Sequence, residues 1–369
     1  MIIAALLGVA LVLTGVQDSP AERFNRAAEL QRQGALQQAE SEYLVLLAGA
    51  PRYAEAHANL GAVLAGLGRY DEAVLSYEKA LELSPSLTPV LLNLGIAHYR
   101  SGQFEKAFDA FQRFLAVQAD NLQAIQLSGL SLLEMGRDAQ AETYLTRALE
   151  RSPEDPAVLY GLGLALLRLN RKGLEKVMER LEKAPGGKSG AHLLRGQTYL
   201  GRLEFERAAQ DLEAAGRLKS DLPRLQYSLG LAYLKLGRND EAVAAFEKEL
   251  ARAPKDFSSL YYLAYLNETT GDVTAALARL RAALEIEPDS SEGNALLGKM
   301  LLKEGKASEA VVPLERAVTK DPNGSEKRYQ LARAYQQLGR REDAARQFAE
   351  IQRIKKQELE ADREKIRKP

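Results

Sequence analysis

The chain has 369 residues, of which 46% are hydrophobic and 27% charged, the balance of a soluble protein that builds a core. Fifty Lys and Arg stand against 50 Asp and Glu, so neither a basic excess for nucleic acid nor an acidic excess for cationic partners is present. With no Cys and three His, disulfides, thiolate nucleophiles, Cys-held metals and multi-His metal sites are excluded, and the composition leans away from an enzyme.

The N-terminus differs from everything after it. Residues 2–16 read IIAALLGVALVLTGV, with no charge before Asp18. These 15 residues fall short of the roughly 20 needed to cross a bilayer as a helix. Their length suits the hydrophobic region of a secretory signal. Residues 1–19 are therefore read as a signal peptide for export to the periplasm or another extracytoplasmic space. The alternative is a membrane anchor over 2–16, the one contact with a membrane that the sequence offers. The leading residues carry no Lys or Arg, and Gly15-Val16-Gln17 only loosely resembles a small-x-small cleavage site.

From Pro20 a fixed period takes over. Gly61, Gly95, Ser128-Gly129 and Leu162-Gly163 recur every 34 residues. After a slip to 33, the phase resumes at Gly196, Gly230, Ala264, Gly298 and Ala332. Twelve residues after this column stands alanine: Ala39, Ala73, Ala107, Ala141, Ala208, Ala242, Ala276, Ala310 and Ala344. A turn glycine (Gly34, Gly68, Gly102, Gly136, Gly237, Gly271, Gly305, Gly339) and a terminal proline (Pro51, Pro85, Pro153, Pro254, Pro288, Pro322) complete the pattern.

Each period holds two stretches with apolar spacing of three and four, the helical signature. The glycine between them ends one helix and turns the chain. Small residues in both stretches let the two backbones approach, and a large residue four places after the alanine fills the pair, as at Tyr43, Tyr77, Phe111 and Phe246. Pro20, Pro156 and Pro223 stand where a following helix can begin. A single pair cannot bury its apolar face, so neighbours must stack into a solenoid.

This pattern resembles the tetratricopeptide repeat (TPR) family. The second repeat, AEAHANLGAVLAGLGRYDEAVLSYEKALELSPSL over 54–87, agrees with nearly every signature position, with His57 in place of the frequent Trp. Ten repeats begin at Pro20, Ala54, Thr88, Leu122, Pro156, Ser189, Pro223, Phe257, Ser291 and Ser325. The resemblance implies an all-α fold, an α-solenoid wound as a right-handed superhelix. Five repeats fill 20–188, five more fill 189–358, and 359–369 is a charged helical extension.

The fifth repeat departs from the pattern. Asn170 replaces the turn glycine, Leu174 stands where alanine belongs, and APGGKSG follows at 184–190. Two adjacent glycines imply local freedom at this junction, either as a worn repeat with a longer turn or as a hinge between two arrays.

Chemical look-alikes fail on their context. Gly187-Lys188-Ser189 lacks the glycine five residues earlier that a phosphate-binding loop requires, where Glu182 stands. His57 and His192 occupy the fourth place of their repeats and His98 the eleventh, a packing place; no His has another three or four residues away. No metal ligand set and no cofactor is expected. A family clamp for a terminal carboxylate would need Lys and Asn where Phe24 and Ala28 stand, and Lys and Arg at Pro89 and Asn93, so it is not expected either.

Function is then sought on the surface. The resemblance implies that first helices line a concave face through the second, fifth, ninth, twelfth and thirteenth places of each repeat. Those places spell an apolar, tyrosine-lined groove: Leu92, Ile96, Tyr99, Leu130, Tyr160, Leu164, Tyr227, Leu231, Tyr261, Tyr265 and Tyr329. Charges such as Arg100, Glu134, Glu268, Lys299, Lys303 and Arg333 edge it. The expectation is a non-catalytic scaffold that binds protein or peptide segments. Carbohydrate or polymer binding, as an accessory subunit of an envelope enzyme, is the alternative.

Overall fold

The computed structural model describes residues 18–367, and the apolar stretch 2–16 lies outside them. The described chain is all-helical, twenty helices joined by short turns, and divides into two compact units between Gly187 and Lys188. The N-terminal unit holds α1 (Pro20–Arg32), α2 (Leu36–Gly49), α3 (Ala54–Gly66), α4 (Tyr70–Leu83), α5 (Thr88–Arg100), α6 (Phe104–Leu115), α7 (Leu122–Glu134), α8 (Asp138–Arg151), α9 (Pro156–Arg168) and α10 (Leu174–Lys183). The C-terminal unit holds α11 (Lys188–Gly201), α12 (Phe205–Leu218), α13 (Leu225–Lys235), α14 (Asn239–Arg252), α15 (Phe257–Thr270), α16 (Val273–Ile286), α17 (Ser291–Lys303), α18 (Ala307–Lys320), α19 (Ser325–Gln337) and α20 (Arg341–Arg367). The last helix carries the charged extension.

Odd and even helices pair as hairpins, and within each unit every even helix packs on the next odd one, so that the hairpins stack as a solenoid. First helices also touch one another in the order α1–α3–α5–α7–α9, then α11–α13 and α15–α17–α19. Second helices make no comparable approach to each other. Closer spacing on one side bends each stack, which puts the first helices on its inner face.

The close approach rests on the small-residue column. A Cβ added at Gly61 would stand 2.7 Å from the ring of Tyr77, and one at Gly230 2.6 Å from Phe246. These large partners are sealed: Tyr43, Tyr77, Phe111, Leu145, Leu212, Phe246, Leu280 and Leu314 are buried. Tyr43 is also satisfied, donating to Gln31 Oε1 at 3.1 Å and accepting from Asn59 Nδ2 at 3.0 Å.

Helix starts are capped as their residues dictate. Ser19 forms a reciprocal capping box with Glu22, and Asn121, Asp155, Asp256, Asp272 and Ser290 accept first-turn amides. One expected start moves. Pro223 does not open α13, because Arg224 adopts φ 56° and the helix begins at Leu225. The inter-helix turns use left-handed residues; Asn170 at φ 49° and Leu203 at φ 62° stand where other repeats use glycine.

The glycine pair after α10 has a steric explanation. The Gly187 amide donates to the Ala184 carbonyl at 2.9 Å, with Pro185 and Gly186 (φ 74°) between them, the arrangement of a type II turn. A Cβ at Gly187 would lie 2.0 Å from the carbonyl oxygen of Leu181. Both glycines are accounted for sterically by this tight turn.

Two repeats carry an added latch. Tyr233 donates its hydroxyl to Glu213 Oε1 at 3.1 Å, and Tyr335 to Glu315 Oε1 at 2.6 Å. Burial first, and then the neighbouring carboxylate, pushes both phenols up to about 12. Arg238 and Arg340 lie over these rings, 4.4 and 4.3 Å from the centroids.

Candidate functional site

In the N-terminal unit the expected face is carried by α5, α7 and α9, which touch in that order. Leu92, Ile96 and Tyr99 of α5, Leu130 of α7, and Tyr160 and Leu164 of α9 are all half-buried. Part of that burial is repeat-to-repeat packing. A Cβ at Gly161 would stand 3.1 Å from both Leu130 and Leu133, so these leucines lie against α9. Tyr99 meets Phe104 edge-on at 5.5 Å, and burial pushes its phenol up.

In the C-terminal unit the tyrosines divide into two kinds. Tyr227 and Tyr261 belong to an aromatic cluster. Tyr227 lies 6.1 Å from Phe246 and 6.2 Å from Tyr262, with Arg224 over its other face at 4.1 Å. Tyr261 stacks on Phe257 at 6.1 Å and meets Tyr262 edge-on at 5.2 Å. Leu231 packs into the same core. Tyr265 and Tyr329 are instead 38% and 45% exposed. Only the edge of Phe348, at 6.2 Å, supports Tyr329.

The cluster contains groups that the groove positions did not include. Tyr262 and Phe246 stack at 5.4 Å and form its centre. Glu249, buried on α14, accepts the Tyr227 amide at 3.2 Å. That amide belongs to the first turn of α13, where Arg224 in the left-handed region supplies no side-chain cap. A carboxylate from the neighbouring helix does the capping.

A charged triad sits one helical turn beyond Tyr265. The Glu268 carboxylate, 4% exposed, accepts from Lys299 at 3.4 Å and from Lys303. Burial pushes this carboxyl up, but hydrogen bonds and charge from the two lysines outweigh it and hold the group below the usual range. Lys303 itself is largely exposed. At the ninth place of successive repeats the inner face thus runs Gln197, Leu231, Tyr265, Lys299, Arg333 in this unit, against Ala28, Ala62, Ile96, Leu130, Leu164 in the other. The first is amphipathic and cationic. The second is aliphatic.

Two of the histidines have partners of their own. His57 Nε2 pairs with the Pro51 carbonyl at 3.0 Å, and His192 Nδ1 lies 2.7 Å from Asp211. Among the described residues no group of three or more His, Asp or Glu is arranged to hold a metal ion. No described helix is long and apolar enough to cross a membrane.

A tetratricopeptide repeat family model matches residues 127–188, 193–257, 227–291 and 263–325, together more than half of the chain. The chain belongs to the tetratricopeptide repeat family. Further TPR models match 54–87 and 301–363, and a Fis1 C-terminal tetratricopeptide repeat model matches 90–140. Among curated proteins the TPR chain is similar to the Protein CTR9 homolog of Arabidopsis thaliana, 24% identical over 77% of this chain and 27% of that protein. It is also similar to BBSome complex member BBS4 of Bos taurus, at 26% over 78% of this chain and 55% of that one. Anaphase-promoting complex subunit 3 of Schizosaccharomyces pombe is 23% identical over 77% and 44%. The chain therefore spans from about a quarter to about half the length of these relatives. The solved structure of the IFIT1 monomeric mutant with Gppp-AAAA superposes with a TM-score of 0.57 at 14% identity, over 91% of this chain and 90% of that one. That likeness concerns the TPR fold alone.

Proposed function

We propose that this TPR chain is a non-catalytic scaffold that binds segments of partner proteins along the inner faces of its two units. The observation that carries the reading is the pair of solvent-facing tyrosines, Tyr265 and Tyr329, on a row of first helices that also presents Leu231, Lys299 and Arg333. Rings of this kind expose large contact area at little entropic cost, and such anchors carry much of the energy of interfaces. The three named relatives include a BBSome complex member and a subunit of the anaphase-promoting complex, consistent with a role in assembly. The apolar residues 2–16 support export, which N-terminal sequencing of the mature protein tests; an intact Met1 in a cytoplasmic fraction rejects it.

The binding reading is tested with a partner captured from the native compartment and identified by mass spectrometry. The double substitution Tyr265→Ala with Tyr329→Ala is expected to weaken its binding by more than tenfold. Leu75→Ala, a change to an exposed side chain of the second helix α4, is expected to leave binding unchanged. Equal affinity for all three proteins would move the binding surface elsewhere. The same two rings also suit stacking on sugars, so competition by soluble oligosaccharides separates carbohydrate binding from peptide binding.

A further inference from the structure

In the seventh and tenth repeats the eleventh place faces the second helix of the repeat before. Tyr233 and Tyr335 occupy it in these two repeats, each latched to a glutamate 20 residues earlier and covered by an arginine five residues later. In the third repeat the same three places read His98, Glu78 and Gln103. An imidazole is shorter than a phenol. Where the ring would lie there is a cleft of about 440 Å³ between α4, α5 and α6. Leu81, Leu94 and His98 form its buried floor, and Glu78, Asp109 and Arg113 stand at its exposed rim. His98 is 3% exposed, and its Nδ1 is buried without a hydrogen-bond partner. The cleft is many times the ~30 Å³ share of one water molecule. Nδ1 is closed off from solvent, so the polar group that a ligand can reach here is the exposed Glu78 carboxylate, the counterpart of the Glu213 and Glu315 acceptors.

We propose that this cleft receives a tyrosine side chain of a partner segment, the ring replacing the phenol this repeat lacks and the hydroxyl donating to the Glu78 carboxylate. The apolar floor takes the ring. The hydroxyl donates to that carboxylate as the Tyr233 and Tyr335 hydroxyls do to theirs, whereas a phenylalanine makes no such bond. Arg113 at the rim supplies the cation that Arg238 and Arg340 supply to their own rings. The proposal rests on the scaffold reading but uses a different surface, since the cleft opens between the second helices α4 and α6. The substitutions at Tyr265 and Tyr329 do not touch it.

The test uses the full chain with its three histidines labelled, titrated with p-cresol and followed through the imidazole resonances. A saturable shift of His98 is expected, with His57 and His192 unmoved. Toluene, which lacks the hydroxyl, is expected to bind roughly fivefold more weakly or worse. His98→Tyr, which fills the cleft from within, is expected to keep its helicity and lose p-cresol binding. A blocked Gly-Tyr-Gly peptide is expected to bind more tightly than p-cresol. An unmoved His98, equal binding of toluene, or unchanged p-cresol binding by folded His98→Tyr would overturn the site. Peptide binding no tighter than p-cresol would overturn the assignment to a partner's tyrosine. Should His98→Tyr fail to fold, Glu78→Gln in the wild-type background gives the same reading, with weaker p-cresol binding expected and unchanged affinity counting against the site.

Discussion

Gly95 lies flat against the ring of Phe111: a methyl group in place of its hydrogen would stand 2.4 Å from Cε1, well inside contact distance. Gly95→Ala is therefore expected to force the ring or the helix pair apart and to destabilise the N-terminal unit by roughly 1–3 kcal/mol. The eighth repeat carries Ala264 opposite Leu280, both fully buried, which shows the combination the geometry accepts. Adding Phe111→Leu should accordingly restore part of the loss. Urea denaturation of the single and double variants checks both statements, and a neutral Gly95→Ala would contradict them.

Leu203 holds a left-handed backbone at φ 62° while its side chain is 72% exposed, so it has strain without compensating burial. That conformation costs a non-glycine residue roughly 1–2 kcal/mol, and glycine's greater unfolded freedom takes back roughly 0.5–1. Leu203→Gly should stabilise the C-terminal unit by about 0.5–1 kcal/mol. A higher urea midpoint with an unchanged slope is the expected result.

Burial first, and Lys106 next, depress the pKa of His98, against the opposing pull of Glu78, a side-chain hydrogen bond with Gln103, and Asp71. The folded chain thus holds this proton less tightly than the unfolded chain, whose imidazole titrates near 6.5. Stability should be complete above pH ~6.5 and fall as pH drops through the window between that value and the lowered folded one. His98→Gln should flatten the slope in this window. Urea titrations at pH about 7.5, 6 and 5 read it, and equal slopes for both proteins would reject the assignment.

Helix α10 spans 10 residues where most second helices here span 14, and its start is an uncapped Gly173 at φ 101°. Fewer packed side chains mean cheaper local opening. Its amides should exchange faster than those of α4 and α16. Uniform protection across the three would show the fifth repeat to be as well packed as the others.

The repeat, its helices and its close-packed column were legible because each rests on residue size and turn geometry, which recur at fixed spacing. The inner-face tyrosines were less so. Tyr227, at the fifth place, and Tyr265, at the ninth, are both face positions in the sequence, yet Tyr262 from the following repeat and Phe246 draw Tyr227 into a cluster. Which neighbour a ring meets depends on side chains more than 15 residues away, beyond the reach of periodicity. Glu249 had left a signal: it interrupts a column of Ala148, Ala215, Ala283 and Ala317. A carboxylate in a row of buried alanines must have a buried donor, and the donor proved to be the Tyr227 amide. The left-handed Arg224 that creates this need has no sequence signature of its own.

The tyrosine–glutamate latches have one more consequence. Each joins the second helix of one repeat to the first helix of the next, so its donor and acceptor are contributed by different copies. The repeats are alike in length and outline but not interchangeable in order. Shuffling them would strand a phenol beside Leu44, Thr146 or Arg281, which hold the glutamate's place in other repeats, while every helix still formed. The sequence of copies is therefore itself information, read at the seams, and duplication of a single copy would have to rewrite two of them.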